Sequence, residues 1–255
     1  SPNNTALPLA AHRLKTADTA VEHYYLGCYF EQSEPQKALE EYKAALELGL
    51  TKAGERLLKL HPQYINGDEL KHLADNFVPS ACYQYGKYIA ETNEYESEIY
   101  IKIAAAFENI HAIRYLSDRY YQKFKEYSIN NPDNTEDKNP YLNTAIQYYE
   151  TVLKYTDTEQ ADKEILENLC ELYYCKKQYE KAKQFCEKAC TGKAYYIVGC
   201  MLENGQGYAR DYKTAKALYK EAIDLGYNLA QKNYDEVCKK LSKEQQTEQA
   251  ASAAS

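Results

Sequence analysis

The sequence predicts an all-α protein built from stacked helix pairs, and three observations carry that expectation. Compact residues recur at a near-constant interval: taking Gly27, Leu58, Gly86, Ser117, Cys170 and Gly199 as equivalent gives separations of 31, 28, 31, 53 and 29 residues. That interval is the length of one helical hairpin, a unit that cannot bury its apolar face alone and therefore stacks on copies of itself. Apolar residues follow helical spacing, as in Ala194, Val198, Met201 and Leu202 at i, i+4, i+7 and i+8, and no stretch alternates as a strand would. Only ten glycines and seven prolines interrupt the 255 residues.

Residues 194–226 are the clearest copy. Gly205 and Gly207 end a first helix, because glycine accepts the left-handed backbone of a helix stop. Asp211 is the N-cap of a second helix, whose expected inner face is Ala215, Leu218, Ala222 and Leu225. Gly226 closes it.

The other units follow in order. Val21, Tyr25, Leu26 and Tyr29 predict a helical face around Gly27, and Pro35 opens a second helix where its missing N–H costs least. Ala38, Tyr42, Ala45, Leu48 and Gly49 then align without a gap on Ala215, Tyr219, Ala222, Leu225 and Gly226. The second unit pairs a helix carrying Ala53, Leu57, Leu58 and Leu60 with one carrying Leu70, Leu73, Ala74 and Phe77. In the third, Ala81, Tyr85 and Gly86 precede a helix with Ile99, Ile103, Ala106 and Phe107 on one side. The fourth is split by a polar insert, residues 128–140, which has almost nothing to bury and reads as a mobile loop. The fifth runs from Asn168 to Ala189, and a last helix from Asn228 to about Leu241 caps the array. The expected layout is a flexible segment 1–15, a repeat region 16–241 and a low-complexity tail 242–255.

Composition excludes several functions. A formal charge of −7 argues against a general nucleic-acid binder, which presents a basic face. No apolar run approaches the roughly 18 residues that cross a bilayer. Ser1-Pro-Asn-Asn-Thr has neither the basic start nor the apolar core of a secretory signal and, lacking an initiator Met, reads as a processed or recombinant end. The chain has 28 Tyr, five Phe and no Trp, so tyrosine takes over helix–helix packing and supplies amphipathic contact surface.

These residues resemble known families. Residues 168–190 resemble a tetratricopeptide repeat, with Ala182, Phe185 and Ala189 at its packing positions, and residues 194–226 resemble a Sel1-like repeat through Asn204-Gly-Gln-Gly-Tyr-Ala-Arg-Asp211 and the helix after it. The resemblance covers roughly residues 16–241, by phase alone in units two to four, which lack the Gly-x-Gly turn. It implies a right-handed superhelix, an α-solenoid of six helix pairs and a cap, acting as an adaptor that binds a protein or peptide on its concave side. By analogy, Tyr-, Lys- and Asn-rich degenerate repeats suit a bacterial effector, cytoplasmic or delivered into a host cell. The alternatives are a structural subunit of a larger assembly and a cysteine-based metal protein.

In such solenoids the first helix of each pair lines the concave face, at positions three before, one after and four after the compact residue. This nominates Tyr24, Cys28 and Glu31; Tyr83, Lys87 and Ala90; Arg114, Asp118 and Tyr121; Glu167, Glu171 and Tyr174; and Tyr196, Cys200 and Glu203. Aromatic anchors there would supply contact energy and charges the register. The expected partner is a protein or peptide, with no cofactor, no metal, no nucleic acid, no membrane insertion and a monomeric chain.

No catalytic set stands out. His12, His23, His61, His72 and His111 are scattered over different units, and Gly205-Gln-Gly207 follows a helix and not the strand a dinucleotide loop needs. Cys170, Cys175, Cys186 and Cys190 admit three states: free thiols, a Cys170–Cys186 disulfide across a hairpin, or a zinc site whose spacing is wider than usual. The regular pairing of disulfide-bearing Sel1-like repeats is absent, so reduced thiols in an intracellular setting are the expected state.

Overall fold

Local capping chemistry starts most of the helices where the sequence places them. The computed structural model describes residues 19–60, 62, 67–133, 135–156 and 162–253, and among these thirteen α-helices form and no strand does. The expected segment 1–15 and the last two residues of the tail lie outside the described residues. The chain divides into two compact units, Ser1–Leu116 and Ser117–Ser255.

In the first unit a Thr19–Glu22 capping box opens α1 (Ala20–Phe30). Pro35 opens α2 (Pro35–Glu47), whose Ala38, Tyr42 and Ala45 are fully buried. There follow α3 (Thr51–Leu60), α4 (Gly67–Asp75), α5 (Pro79–Tyr88) and α6 (Glu94–Ala106). The pairs α1–α2 and α5–α6 pack most closely. Helix α3 lies against α2 and α5, and α4 packs on α5, so the expected α3–α4 hairpin is replaced by α4 pairing forward. The close approach in this region is made by Gly54 and not by Leu58: a Cβ on Gly54 would stand 2.3 Å from a Val78 methyl.

The boundary between the units falls within α7 (Ile110–Asn130). In the second unit come α8 (Leu142–Tyr155), α9 (Lys163–Cys175), α10 (Tyr179–Ala189), α11 (Gly192–Asn204), α12 (Tyr212–Asp224) and α13 (Ala230–Ala253). The pairs α9–α10 and α11–α12 are tight, and α13 packs on α12. Asp211 accepts the N–H groups of Lys213 and Thr214 at 3.0 Å each, and Gly205 ends α11 in the left-handed conformation at φ 70°. Both features match the sequence expectation.

Two inner faces are rotated from the expected ones. On α1, Tyr24, Leu26 and Gly27 turn inward while Val21, Tyr25 and Tyr29 are exposed. On α6, Tyr100, Ile101 and Ala104 are buried and Ile99 and Phe107 are exposed. The cause is a glycine contact: Gly27 lies on the Tyr42 ring and Gly86 on Ile101, each too close for a Cβ, so the glycine face is the one that packs.

The described residues of the polar insert carry more structure than a mobile loop. Helix α7 reaches Asn130, a 3-10 turn spans Glu136–Lys138, and Asn139 is buried. The Asn139 amide donates to the Phe124 carbonyl at 2.8 Å and accepts the Tyr141 N–H at 3.0 Å. A buried amide with these bonds pins the end of the insert. The expected tail also begins inside a helix, since α13 runs on to Ala253.

Candidate functional site

The nominated residues separate into those built into each unit's own packing and those that keep an open face. Glu31 belongs to the first group. It accepts the Tyr42 hydroxyl and pairs with Arg56 Nη2 at 2.8 Å, and the same hydroxyl lies 3.3 Å from Cys28 Sγ. The second unit repeats the arrangement. Tyr219 donates to Glu203 at 2.6 Å, lies 3.4 Å from Cys200 Sγ, and Lys240 Nζ closes on Glu203 at 2.7 Å. Each set joins a tyrosine of the second helix to a thiol and a carboxylate one and four residues after the compact glycine, with a cation from a following helix.

Their electrostatics follow from burial and pairing. Burial by itself would raise the Glu203 carboxyl, but the Lys240 ammonium and the Tyr219 hydroxyl outweigh it and hold the carboxyl below the ordinary glutamate range. The Tyr42 and Tyr219 phenols are pushed far up, by burial first and then by their thiol and carboxylate neighbours. Neither tyrosine ionises near neutrality.

Tyr24 is buried, its ring 5.7 Å from that of Tyr42 and under the Lys52 ammonium at 5.2 Å. Asp118 accepts the Tyr149 hydroxyl at 2.9 Å, and Asn168 donates to the same oxygen at 3.0 Å. Tyr121 is buried and donates to Glu171, while Lys193 donates to the Tyr121 oxygen at 2.7 Å and pairs with Glu171. Burial and the Glu171 charge push the Tyr121 phenol up. These contacts cross α7, α9 and α11, so Tyr121 and Glu171 help hold three helices in register.

The remaining positions keep accessible surface. In the first unit, Tyr83 is half-buried, its ring stacked on His111 at 6.1 Å and edge-on to Tyr115 at 6.3 Å, with the exposed Lys87 ammonium 5.6 Å away. Arg114 and Ala90 are half-buried. In the second unit, Tyr196 sits between the rings of Tyr219 at 5.8 Å and Tyr227 at 5.2 Å. Tyr174 donates to Gln206 Oε1 at 3.2 Å, and Glu167 is half-buried.

Sequence reasoning missed Arg56, Lys193, Lys240 and Tyr227. No local pattern marks them, because each lies at least one helix away from the residue it serves. It also expected reduced cysteines, whereas Cys170 and Cys186 form a disulfide, their Cα atoms 5.2 Å apart across the α9–α10 pair. Both sit on the close-packed seam of that hairpin, where facing side chains are within reach of each other. Among the described residues no group of three or more His, Cys, Asp and Glu could hold a metal ion, and no helix is long and apolar enough to cross a membrane.

Helix pairs joined by short turns, with glycines seated on aromatic rings and no strand among the described residues, define an all-α helical-repeat protein. Among solved structures, the chain is similar to a Sel1 repeat protein from Oxalobacter formigenes, with a TM-score of 0.51 and 17% identity, over 89% of this chain and 67% of that one. The similarity is one of fold, and it agrees with the repeat pattern of residues 194–226. No model of a known protein family matches the sequence, and no curated protein matches it.

Proposed function

We propose that this chain is a non-enzymatic scaffold whose first-helix faces bind a partner protein or peptide. The observation that carries this reading is a set of half-exposed tyrosines that pack on one side and keep accessible surface on the other. Tyr83 beside His111, Tyr115 and Lys87 forms one such patch, and Tyr196 beside Tyr227 forms another. Half-buried tyrosine next to charge is the composition of interface hot spots, where a rigid ring gives area and its hydroxyl gives direction. Glu31, Tyr121, Glu171 and Glu203 act as positioning residues in this reading, because their polar groups are held within their own unit, and Tyr24 joins them through its buried ring.

Selection from a displayed library of random dodecapeptides tests it. Selected peptides should bind the full chain at micromolar Kd, and Tyr83→Ala or Tyr196→Ala should weaken a subset of them by about 30-fold, the size of a 2 kcal/mol hot spot. Circular dichroism melting run alongside separates lost contact from lost fold. A library that yields no binder, or binders indifferent to both substitutions in folded protein, overturns the reading.

A second reading, self-association, is favoured by the outward stripe Val21, Tyr25 and Tyr29 on α1. Light scattering on the eluting protein decides it: a monomer mass at high concentration removes this reading.

A further inference from the structure

Helix α3 carries Lys52, Glu55, Arg56 and Lys59 at i, i+3, i+4 and i+7, which places all four on one face. They line a cleft of about 500 Å³ in the first unit, flanked by Tyr24 of α1 and by Ser80 and Gln84 of α5. Arg56 is already paired, and Glu55 keeps its charge but is tied to a backbone amide. Arg56 Nη2 is paired with Glu31 at 2.8 Å, and Glu55 accepts the backbone N–H of Ser80 at 2.8 Å at the start of α5. Lys52 and Lys59 are exposed, and among the described residues neither has a carboxylate within ion-pair distance. Arg56 Nε–H is buried and has no acceptor among the described residues. A chain of net charge −7 thus presents two ammonium groups without a carboxylate partner over one cleft, the Lys52 one resting on the Tyr24 ring.

Spacing selects the ligand. Seven helical residues separate Lys52 from Lys59, about 10.5 Å at 1.5 Å per residue. That spacing suits two anionic groups held a similar distance apart. In a peptide extended as a polyproline II helix, with three residues per turn, two side chains three residues apart lie on one face, about 9 Å from each other at roughly 3.1 Å per residue. We propose that this cleft binds an extended acidic segment of a partner polypeptide, with two carboxylates three residues apart on Lys52 and Lys59 and the intervening chain over the edge of the Tyr24 ring. The assignment rests on the scaffold reading and names the partner chemistry for its first unit. Rim ammonium groups of this kind set register and speed association by electrostatic attraction.

Fluorescence polarisation with the full chain tests it. The probes are labelled dodecapeptides identical in composition, carrying two Glu residues one, three or six positions apart, with a Gln-for-Glu control. The spacing of three should bind at least tenfold more tightly than the control and more tightly than the other two spacings. Its affinity should fall with added salt, and Lys52→Glu/Lys59→Glu should abolish the preference. Circular dichroism melting of this variant run alongside separates lost contact from lost fold. Equal binding of Glu and Gln peptides, no spacing preference, an unaffected double variant, or displacement by millimolar phosphate each overturns the assignment. The library selection above is independent of peptide charge, so the scaffold reading can survive the failure of this one.

Discussion

Gly199 faces the ring of Tyr219 so closely that a Cβ at that position would stand 2.6 Å from Tyr219 Cε1, and Gly27 meets Tyr42 Cε1 at the same 2.6 Å. The two tyrosines are fully buried. In both units a bare backbone against a full phenol ring sets the helix–helix distance and carries the phenol to its carboxylate.

Gly199→Ala should therefore destabilise the chain. In an exposed helix this change gains up to about 1 kcal/mol from propensity. Here the added methyl overlaps a ring that closely packed neighbours prevent from retreating, and overpacking of this kind costs about 1–3 kcal/mol. A lower urea midpoint is expected, and one equal to or above the parent would show that the ring can give way. Gly49→Ala is the comparison, since nothing lies within 4 Å of its Cβ position and only its φ of +93° opposes a side chain.

Tyr219→Phe keeps the ring and removes the hydroxyl that Glu203 accepts at 2.6 Å. The carboxylate is 6% exposed, and a buried acceptor deprived of a donor costs about 1–3 kcal/mol. Tyr42→Phe should cost less, because the Glu31 side chain is 18% exposed and water can replace the lost bond. Chemical denaturation of the two variants tests the order, and the reverse order would overturn it.

Acid should erase the contribution of Glu203. Its carboxyl is held below the ordinary value of 4.5, so the folded state binds the proton less readily than the unfolded chain. The stabilisation is fully present above about pH 4.5 and is lost as pH falls through the lower folded value. The stability difference between the parent and Glu203→Gln should hold constant from neutral pH to about 5 and narrow below it. A difference that stays constant into acid would show that Lys240 and Tyr219 do not favour the charged form.

Reduction should weaken the second unit. The Cys170–Cys186 bond closes a separation of 16 residues, a loop whose cross-link is worth about 3 kcal/mol on chain-entropy grounds. Alkylation of the unreduced, denatured protein should label six of its eight cysteines, since two are bonded and six are free. Dithiothreitol should then lower the melting temperature of the parent and leave that of Cys170→Ser/Cys186→Ser unchanged. Labelling of all eight cysteines would overturn the pairing.

The candidate site was legible in part. Phase from the compact residues located Tyr83 and Tyr196 on open patches, and it also located Glu31 and Glu203, whose carboxylates turn out to be held by Arg56 and Lys240. Phase reports where a side chain leaves its helix. It carries no information about which cation arrives from another helix to occupy it.

By itself the sequence determined the helices, several of their ends and three of their compact seams. Pro35, Asp211, Gly205 and Gly226 act on backbone groups a few residues away, and Gly27, Gly86 and Gly199 are residues without a Cβ at close helix approaches. Only the tertiary structure decided which side of α1 and α6 turns inward, because tyrosine is amphipathic and a rotation of one residue leaves the apolar pattern nearly unchanged. It decided the forward pairing of α4, the role of Gly54 and the bond between Cys170 and Cys186. It also brought Lys193 to Tyr121 across 72 residues and Lys240 to Glu203 across 37. Contacts at such separations come from how helices stack, and stacking is set by the summed fit of many side chains, which no local signal records.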